Sequence, residues 1–461
     1  MYMRGLKHQL LLSFYGDDFT GSTDSMEVLA LNGIRTVLFL EPPSQALLAE
    51  RFTDIQAFGV AGVSRSMGPE EMEEELRPLF ETLRAFPTTI VHYKICSTFD
   101  SSPTVGSIGK AIDIAAEVFS EQAYISLLVG APVLKRYTVF GTHYATVGEE
   151  TYRLDQHPTM SCHPVTPMDE AELSIHLAKQ TNQTIALMNI LDLDGGIEQV
   201  RAKLRLRLSS TPNVLLFDVL DEERLLRAGE LIWEEATTNS NRFVVGSSGV
   251  EYALTAHWQA TGKVNKNLEL LKPRGPVKQI LVISGSCSPV TESQIIYALN
   301  HGFVGVKIDV ESLIIPIEAE QVRHHLFMQA VDILNQGKSP LLYTAIGSRD
   351  LDMQGIRRKL TENGYKSSDT GRLLGEQLGK LTKEIVANNR LTRFLIAGGD
   401  TSGFVTRELG IYALETLMPL APGGPICRSY SEDPQFDGIE IVLKGGQVGK
   451  DDYFNRVLEG K

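Results

Sequence analysis

The segment LLLSFYGDDFTG, residues 10–21, joins an apolar run to a glycine and two adjacent aspartates. The run Leu10–Tyr15 has the length of one buried strand, and Gly16–Gly21 turns the chain into a helix expected from about Ser22 to Leu31. A strand, a polar turn and a helix in this order are typical of the first unit of a parallel sheet. The segment therefore predicts an α/β fold and places two carboxylates at the carboxyl end of the first strand.

The same alternation continues along the first half of the chain. Strands that alternate with helices predict mainly parallel sheets with helices on both faces. The predicted strands are Leu10–Tyr15, Thr36–Leu40, Ile55–Val63, Thr89–Ile95, Thr184–Ile190, Asn213–Val219 and Phe243–Gly246, and the predicted helices are Ser22–Leu31, Glu70–Phe86 and Ile108–Phe119.

A polar stretch with proline and glycine at its end, Thr261–Val277, interrupts this pattern. Beyond it the alternation restarts, so we expect a domain at 1–260, a linker at 261–276 and a second domain at 277–461, with the active site in the cleft between the domains. The later predicted strands are Gln279–Ser284, Gly302–Ile308, Leu341–Ala345, Phe394–Ala397 and Glu440–Lys444.

Charge and composition exclude several classes of protein. Of 461 residues, 44 are Lys or Arg and 57 are Asp or Glu, which gives a net charge of −13. Such an acidic surface repels a phosphate backbone, so we expect no nucleic-acid partner. No apolar run approaches the ~18 residues that span a bilayer, and we expect no membrane partner.

The cysteines and the N-terminus favour a cytoplasmic protein. The 4 cysteines are scattered and form no Cys-x-x-Cys pair, which argues against a disulfide framework and a structural zinc site. The basic start of the chain runs into a predicted strand and then into Asp17 and Asp18, without the small-residue cleavage site of a signal peptide.

The pair Asp17 and Asp18 is the first candidate for catalysis. The carboxyl ends of parallel strands form the ligand crevice of an open α/β sheet. Two adjacent carboxylates raise each other's pKa when partly buried, which suits a general base. We expect Asp17 to face the ligand and Asp18 to hold the loop. The alternative is a purely structural loop that caps the next helix.

Two further loops predict recognition of an acid. Arg65 follows a predicted strand and offers a planar fork to a carboxylate or phosphate, although a surface ion pair is an equal alternative. Lys94 ends another strand and is followed by Ser97, Thr98 and Asp100, a set that is typical of polyol or acid recognition. The alternative there is an ordinary serine-rich turn.

Three glycine loops in the second half resemble a phosphate-binding cradle. Glycines let backbone N–H groups approach an anion, and a helix N-terminus adds positive potential. A plain turn is the alternative for each loop taken alone. The loops are Ile283–Ser288, Ala397–Gly403 and Lys444–Gly449, and the helix after the second is expected from about Phe404.

Other motifs are missing or incomplete. Gly337-Lys338-Ser339 lacks the first glycine of a P-loop, no Gly-x-Gly-x-x-Gly follows the first strand, and no Gly-x-Ser-x-Gly is present. His157, Cys162 and His163 lie close together, but no second ligand pair is near, so no metal ligands are predicted.

With these residues assembled, the chain resembles the four-carbon acid sugar kinase family almost from end to end. The order and spacing of the short motifs carry the resemblance. They are Gly16–Gly21, Ser64–Ser66, Lys94–Ser101, His163–Met168, Gly246–Gly249, Ser284–Ser288, Gly398–Ser402, Ala421–Pro425 and Leu443–Phe454.

The resemblance implies a sugar-binding N-terminal domain, an ATP-binding C-terminal domain and phosphorylation of the terminal (C4) hydroxyl of an acid sugar with ATP and Mg²⁺. Asp17, Asp18 and Lys94 would be catalytic, and Arg65, Ser97, Thr98 and Asp100 would bind the sugar. A homodimer is compatible with this assignment. The residues implied for ATP binding are Ser286, Ser288, Gly398, Gly399, Asp400, Thr401, Ser402, Gly446 and Gly449.

The substrate implied by the resemblance is a 3-oxo-tetronate, because the Lys94 motif has the sequence of that branch of the family. Extra sequence near Thr142–Ser161 keeps a branched relative such as 3-oxo-isoapionate as an alternative. Two other classes stay open: a two-domain hydroxy-acid dehydrogenase, and a sugar-acid sensor that performs no catalysis.

Overall fold

The computed structural model describes residues 5–238, 241–347, 350, 352–366 and 369–461, with the side chains of Thr238, Pro316 and Asp400 left out. The chain divides into two compact units, the first ending at Asn267 and the second beginning at Leu268. Each unit contains a mainly parallel sheet with flanking helices, which confirms the predicted α/β class. No helix within the described ranges is long and apolar enough to cross a membrane.

The first unit is built on eight parallel strands in the order β2-β3-β1-β4-β11-β5-β10-β9. Every residue of β1 is buried, as expected for a central strand between two layers of helices. These strands are β1 Leu12–Gly16, β2 Thr36–Phe39, β3 Ala57–Ala61, β4 Ile90–Lys94, β5 Ile125–Leu128, β9 Ile185–Met188, β10 Val214–Phe217 and β11 Arg242–Gly246. The helices are α1 Phe19–Leu31, α2 Gln45–Arg51, α3 Pro69–Arg84, α4 Ile108–Val118, α5 Leu173–Ala178, α6 Ile197–Leu208, α7 Glu222–Thr238 and α8 Gly249–Ala260.

A small antiparallel sheet between β5 and α5 was not predicted. It consists of β6 Arg136–Val139, β7 Thr142–Val147 and β8 Glu150–Arg153. Its strands are largely polar and half exposed, so they lack the apolar runs that mark the strands of the main sheet. The sheet is the structural form of most of the extra sequence noted around residues 142–161.

In its described residues, the second unit has seven strands in the order β13-β14-β12-β15-β18-β17-β16. The first five are parallel, whereas β17 pairs antiparallel with β18 and β16 pairs antiparallel with β17. The strands are β12 Leu281–Ser284, β13 Phe303–Lys307, β14 Ser339–Tyr343, β15 Arg393–Ala397, β16 Ile411–Met418, β17 Ile426–Ser431 and β18 Glu440–Lys444. The helices are α9 Pro289–Asn300, α10 Val310–Leu313, α11 Pro316–Asn335, α12 Met353–Glu362, α13 Thr370–Asn389, α14 Gly399–Glu408 and α15 Tyr453–Glu459.

One helix boundary differs from the prediction in a way that affects the site. Helix α14 begins at Gly399 rather than near Phe404, and Gly398 precedes it with φ +125°. This is a backbone conformation that residues with a Cβ rarely adopt, so glycine allows the strand to turn directly into the helix. Asp400, Thr401 and Ser402 therefore lie in the first turn of a helix and not in a loop.

Candidate active site

Neighbouring strands of the first unit end at the same level of its sheet. Gly16 of β1 is in register with Lys94 of β4, and Lys94 is in register with Gly246 of β11. Backbone pairing continues beyond the strands, because Asp17 N donates to Lys94 O at 2.9 Å and Arg65 N donates to Asp17 O at 3.0 Å. Asp17, Asp18, Arg65 and Lys94 are thereby brought together, and we call them the charged cluster.

Asp17 forms a bidentate ion pair with Arg65. Arg65 Nη2 donates to Asp17 Oδ1 at 2.6 Å and Nε donates to Oδ2 at 3.1 Å. The side chain of Asp17 is only 4% exposed, and burial raises the pKa of its carboxyl group while the cation of Arg65 opposes that rise. Both oxygens of Asp17 are thus occupied by one guanidinium group.

Asp18 has a different environment. Its side chain caps α1, with Oδ1 accepting from Gly21 N at 2.9 Å and from Arg65 Nη2 at 2.7 Å. No hydrogen bond to Oδ2 is present among the described residues, and the side chain is 29% exposed. Asp18 therefore holds the loop as expected, but it is also the more accessible of the two carboxylates, whereas we had expected Asp17 to face the ligand.

Lys94, the fourth residue of the charged cluster, lies close to Asp18. A Cβ atom placed on Gly21 would lie 2.5 Å from Lys94 Nζ and 2.4 Å from Asp18 Oδ1. The ammonium group and the carboxylate are therefore no more than about 5 Å apart, and the absence of a side chain at Gly21 leaves room for both. The side chain of Lys94 is buried, and its charge partly offsets the rise that burial causes in the pKa of Asp24.

The hydroxyl loop after Lys94 is held in a strained conformation. Thr98 Oγ1 donates to Asp100 Oδ1 at 2.5 Å, and between them the buried Phe99 has φ +56°. A side chain in this region costs energy and is found where the surroundings determine the backbone. Burial also raises the pKa of the Cys96 thiol to about 11, so this cysteine is an unreactive thiol.

The small antiparallel sheet supports this loop. The ring nitrogen Nε2 of His143, on β7, lies 2.8 Å from Ser97 O, and Nδ1 lies 3.0 Å from Thr138 Oγ1. Burial lowers the pKa of His143 to about 4, so the ring is neutral at pH 7. Burial lowers the pKa of Arg136, on β6, and the nearby carboxylate of Asp100 opposes part of that effect.

A buried histidine and glutamate lie beneath the same edge of the sheet. His92 Nδ1 is 2.7 Å from Glu251 Oε1, and His92 Nε2 is 3.1 Å from Gly246 O. Both side chains are fully buried, so the pair fixes the start of α8 against β4. Sequence reasoning missed this pair, because alternation shows which residues face inward but not which polar residues meet.

The three glycine loops of the second unit also meet, at the carboxyl ends of β12, β15 and β18. A Cβ atom on Gly446 would lie 3.1 Å from Ser286 Oγ and 3.2 Å from Ser288 Oγ. A Cβ atom on Gly285 would lie 2.2 Å from Thr401 Oγ1, and one on Gly398 would lie 3.4 Å from Ser286 N. We call residues 285–288, 398–402 and 446–449 the glycine cluster.

Hydroxyl groups organise the first of these loops. Ser288 caps α9, because its Oγ accepts from Thr291 N at 3.1 Å, and the same hydroxyl donates to Gly446 O. Ser286 Oγ lies 3.0 Å from Thr291 Oγ1. Ser288 and Ser286 are thus tied to α9 and to the loop after β18, and Thr291 is the shared partner that sequence reasoning missed.

The other predicted nucleotide residues occupy distinct places. Gly399 is the first residue of α14, Thr401 is buried beside Gly285, and Ser402 Oγ donates back to Gly398 O at 2.7 Å. The side chain of Asp400 lies outside the described part. Gly449 has φ +87° and contacts the ring of Tyr453 so closely that a Cβ atom would lie 2.4 Å from it.

Among the residues that the structure describes, no group of three or more His, Cys, Asp or Glu side chains could hold a metal ion.

Comparisons with known proteins match a different domain model to each of the two units. A model of a sugar-binding N-terminal domain matches residues 12–254, and one of a nucleotide-binding C-terminal domain matches residues 281–454. The fold and the two clusters therefore define a class of proteins that joins a sugar-binding domain to a nucleotide-binding domain.

Relatives along the whole chain narrow this class. The chain is 42% identical to a 3-oxo-isoapionate kinase of Paraburkholderia graminis, covering 98% of this chain and 95% of the relative. It is 29% identical to a 3-oxo-tetronate kinase of Pectobacterium atrosepticum, covering 96% and 98%. The chain belongs to the four-carbon acid sugar kinase family, and it is a sugar-acid kinase that uses ATP.

Solved structures share the fold. A crystal structure of a Haemophilus influenzae protein has a TM-score of 0.70 and 24% identity, covering 96% of this chain and 98% of that one. A Salmonella typhimurium LT2 protein has a TM-score of 0.77, also at 24% identity, covering 97% and 98%.

Proposed function

We propose that the enzyme transfers the γ-phosphoryl group of ATP to the terminal hydroxyl of a 3-oxo acid sugar. The observation that carries this proposal is the charged cluster, in which two carboxylates, a guanidinium group and an ammonium group meet at one edge of the sugar-binding sheet. The relative with 42% identity acts on 3-oxo-isoapionate, and those near 29% identity or below act on 3-oxo-tetronate. We therefore propose 3-oxo-isoapionate as the better substrate and 3-oxo-tetronate as the second.

Arg65 is proposed to bind the substrate carboxylate with the part of its guanidinium group that the aspartates leave free. Nε and Nη2 donate to Asp17 and Asp18, whereas Nη1 makes no hydrogen bond to a described residue. The bidentate fork that we had assigned to the substrate is used by Asp17. The substrate carboxylate would therefore accept from Nη1 of Arg65 alone. Ser97, Thr98 and Asp100 are the proposed partners of the hydroxyl groups of the substrate.

Asp18 is proposed to be the general base. Its side chain is 29% exposed and its Oδ2 accepts no hydrogen bond from a described residue, while both oxygens of Asp17 accept from Arg65. As the terminal hydroxyl oxygen forms its bond to the γ-phosphorus, the bond from phosphorus to the ADP oxygen breaks and the hydroxyl proton passes to Asp18. Lys94 would stabilise the negative charge that develops on the transferred group.

ATP is proposed to lie on the glycine cluster, with its phosphates facing the backbone amides near Gly398, Gly399 and Gly446. Mg²⁺ would neutralise charge on the phosphates during transfer. The hydroxyl groups of Ser286 and Thr401, both buried in this cluster, would be the protein ligands of the Mg²⁺ ion. We also propose that the protein is cytoplasmic and forms a homodimer. Light scattering of the purified protein measures its molar mass and tests the dimer.

The position of the phosphate in the product tests this function. Each 3-oxo acid sugar is incubated with ATP and Mg²⁺, and coupling between phosphorus and carbon-bound protons is measured by NMR. We expect a phosphate monoester coupled to two terminal methylene protons. A phosphate on a secondary or tertiary hydroxyl, or an acyl phosphate, would contradict the proposal. The Asp18→Asn variant serves as the control for product formed without the enzyme's base.

A further inference from the structure

A buried lysine to which the sequence analysis assigned no role lies next to the glycine cluster. Lys444 is the last residue of β18, and its side chain is 1% exposed. Its Nζ donates to Thr291 Oγ1 at 3.0 Å, and no described carboxylate forms a salt bridge with it. A buried ammonium group whose one hydrogen-bond partner among the described residues is neutral is costly, so its retention needs a physical reason.

The position of Lys444 supplies that reason. Gly398 N donates to Lys444 O at 2.9 Å, so β18 and the start of α14 are joined at this residue. Thr291 Oγ1 also contacts Ser286 Oγ at 3.0 Å and donates to Gly446 O at 3.1 Å. The ammonium group therefore contacts Thr291, which joins the first and third glycine loops, while the backbone of Lys444 joins the second, and a phosphate at this point would supply a counterion.

The protonation of this amine agrees with such a role. Burial lowers the pKa of Lys444 to about 7, and among the described residues no charged group contributes to the shift. A phosphate beside Nζ would favour the charged form and reverse part of that change. Burying this ammonium group for a purely structural role would cost free energy without need, because Thr291 already has hydrogen-bond partners in Ser286 and Gly446.

We propose that Lys444 is a phosphate-binding residue of the nucleotide site, donating from Nζ to the phosphate chain of ATP next to Thr291. This inference deepens the proposed function and rests on it, because it assumes that the glycine cluster binds the nucleotide. Lys444 is the last residue of β18 in the second unit, just as Lys94 is the last residue of β4 in the first unit.

The test measures equilibrium binding of adenosine, AMP, ADP and ATP to the purified enzyme and to Lys444→Met by calorimetry. Methionine has nearly the same length and lacks the charge. We expect adenosine to bind equally to both proteins, and ATP to bind about 10- to 100-fold more weakly to the variant, as befits the loss of a charge-assisted hydrogen bond. The Lys444→Arg variant keeps the charge and should recover part of the ATP affinity.

The matched control is Lys338→Met. Lys338 is exposed and precedes β14, which runs parallel to β12, so it lies at the end of the sheet opposite the glycine cluster, and its replacement makes the same change in net charge. We expect wild-type affinity for all four nucleotides. Equal ATP affinity in Lys444→Met and the wild type would overturn the inference, and so would an equal loss for adenosine and ATP, which indicates a structural role. If the wild-type protein binds no adenine nucleotide, the proposed nucleotide site itself fails.

Discussion

The charged cluster and the glycine cluster stand at the carboxyl ends of parallel strands, yet they present opposite kinds of surface. In the first, carboxylates and cations pair with one another, and Arg65 alone contacts both Asp17 and Asp18. In the second, hydroxyls and backbone groups dominate, and Lys444 is the one buried cation that we find in its described part. One cluster is suited to a small acid with several hydroxyl groups, and the other to a polyanion.

The difference teaches how each ligand is selected. Side-chain charges that are already paired impose geometry, so a small change in the substrate disturbs several contacts at once. Backbone amides beside glycines accept any phosphate chain of suitable length. We therefore expect substitutions in the charged cluster to change turnover and sugar affinity, and substitutions in the glycine cluster to change nucleotide affinity.

The largest effect should follow Asp18→Asn. Asparagine is an equally good helix cap, so α1 keeps its start, but the amide cannot accept the proton. We expect kcat to fall about 10²- to 10⁴-fold with the ATP KM nearly unchanged. Steady-state kinetics at saturating substrates and a melting curve measure this. Retention of most of the kcat would remove Asp18 as the base.

Asp17→Asn should act mainly on stability. The change removes the buried charge that faces Arg65, whose side chain is 25% exposed, and the loss of a charge-assisted hydrogen bond costs about 1.5–3 kcal/mol. Chemical denaturation of the variant and of Asp18→Asn gives the two free energies of unfolding side by side. A stable Asp17→Asn enzyme with a collapsed kcat would transfer the role of base to Asp17.

Arg65→Lys should weaken sugar binding while keeping the net charge. An ammonium group cannot contact both aspartates and still present a free nitrogen to the substrate. Loss of a charge-assisted hydrogen bond predicts a rise of about 10-fold or more in the KM for the acid sugar. The KM for ATP, measured in the same assays, should not change. Equal sugar affinity in the variant and the wild type would show that Arg65 only organises the aspartates.

Ser288→Ala should have the smallest effect, and on the nucleotide side alone. The hydroxyl caps α9 and bonds Gly446 O, and the loss of an N-cap costs about 1 kcal/mol. We expect the KM for ATP to rise about fivefold. Ser288→Thr keeps the hydroxyl and is the control. A larger change in the KM for the sugar than in the KM for ATP would contradict the separation of the two clusters.

Much of the fold could be predicted because buried strands are apolar runs followed by polar or glycine-containing turns. Glu440–Lys444 was predicted with the boundaries of β18, and Thr89–Ile95 differs from β4 by one residue at each end. The sheet β6–β8 could not be predicted in this way, because strands that are half exposed and polar show no such run.

Which candidate residues lie at the ends of strands could be predicted, but their pairings could not. A residue type at a strand end indicates which side chains reach an edge of the sheet. It does not indicate that Arg65 uses its fork on Asp17, which is 48 residues away, or that Lys444 meets Thr291 across 153 residues. These contacts depend on strand order and helix placement, which one sequence leaves open.

ADP release by the purified wild-type enzyme tests the central claim most directly. The protein is assayed with ATP and Mg²⁺ in the presence of 3-oxo-isoapionate, 3-oxo-tetronate, or a four-carbon sugar that lacks the carboxylate. We predict rapid ADP release with 3-oxo-isoapionate, slower release with 3-oxo-tetronate, and only background with the sugar that has no acid group. Background rates with both 3-oxo acids, or equal turnover without the carboxylate, would contradict the account.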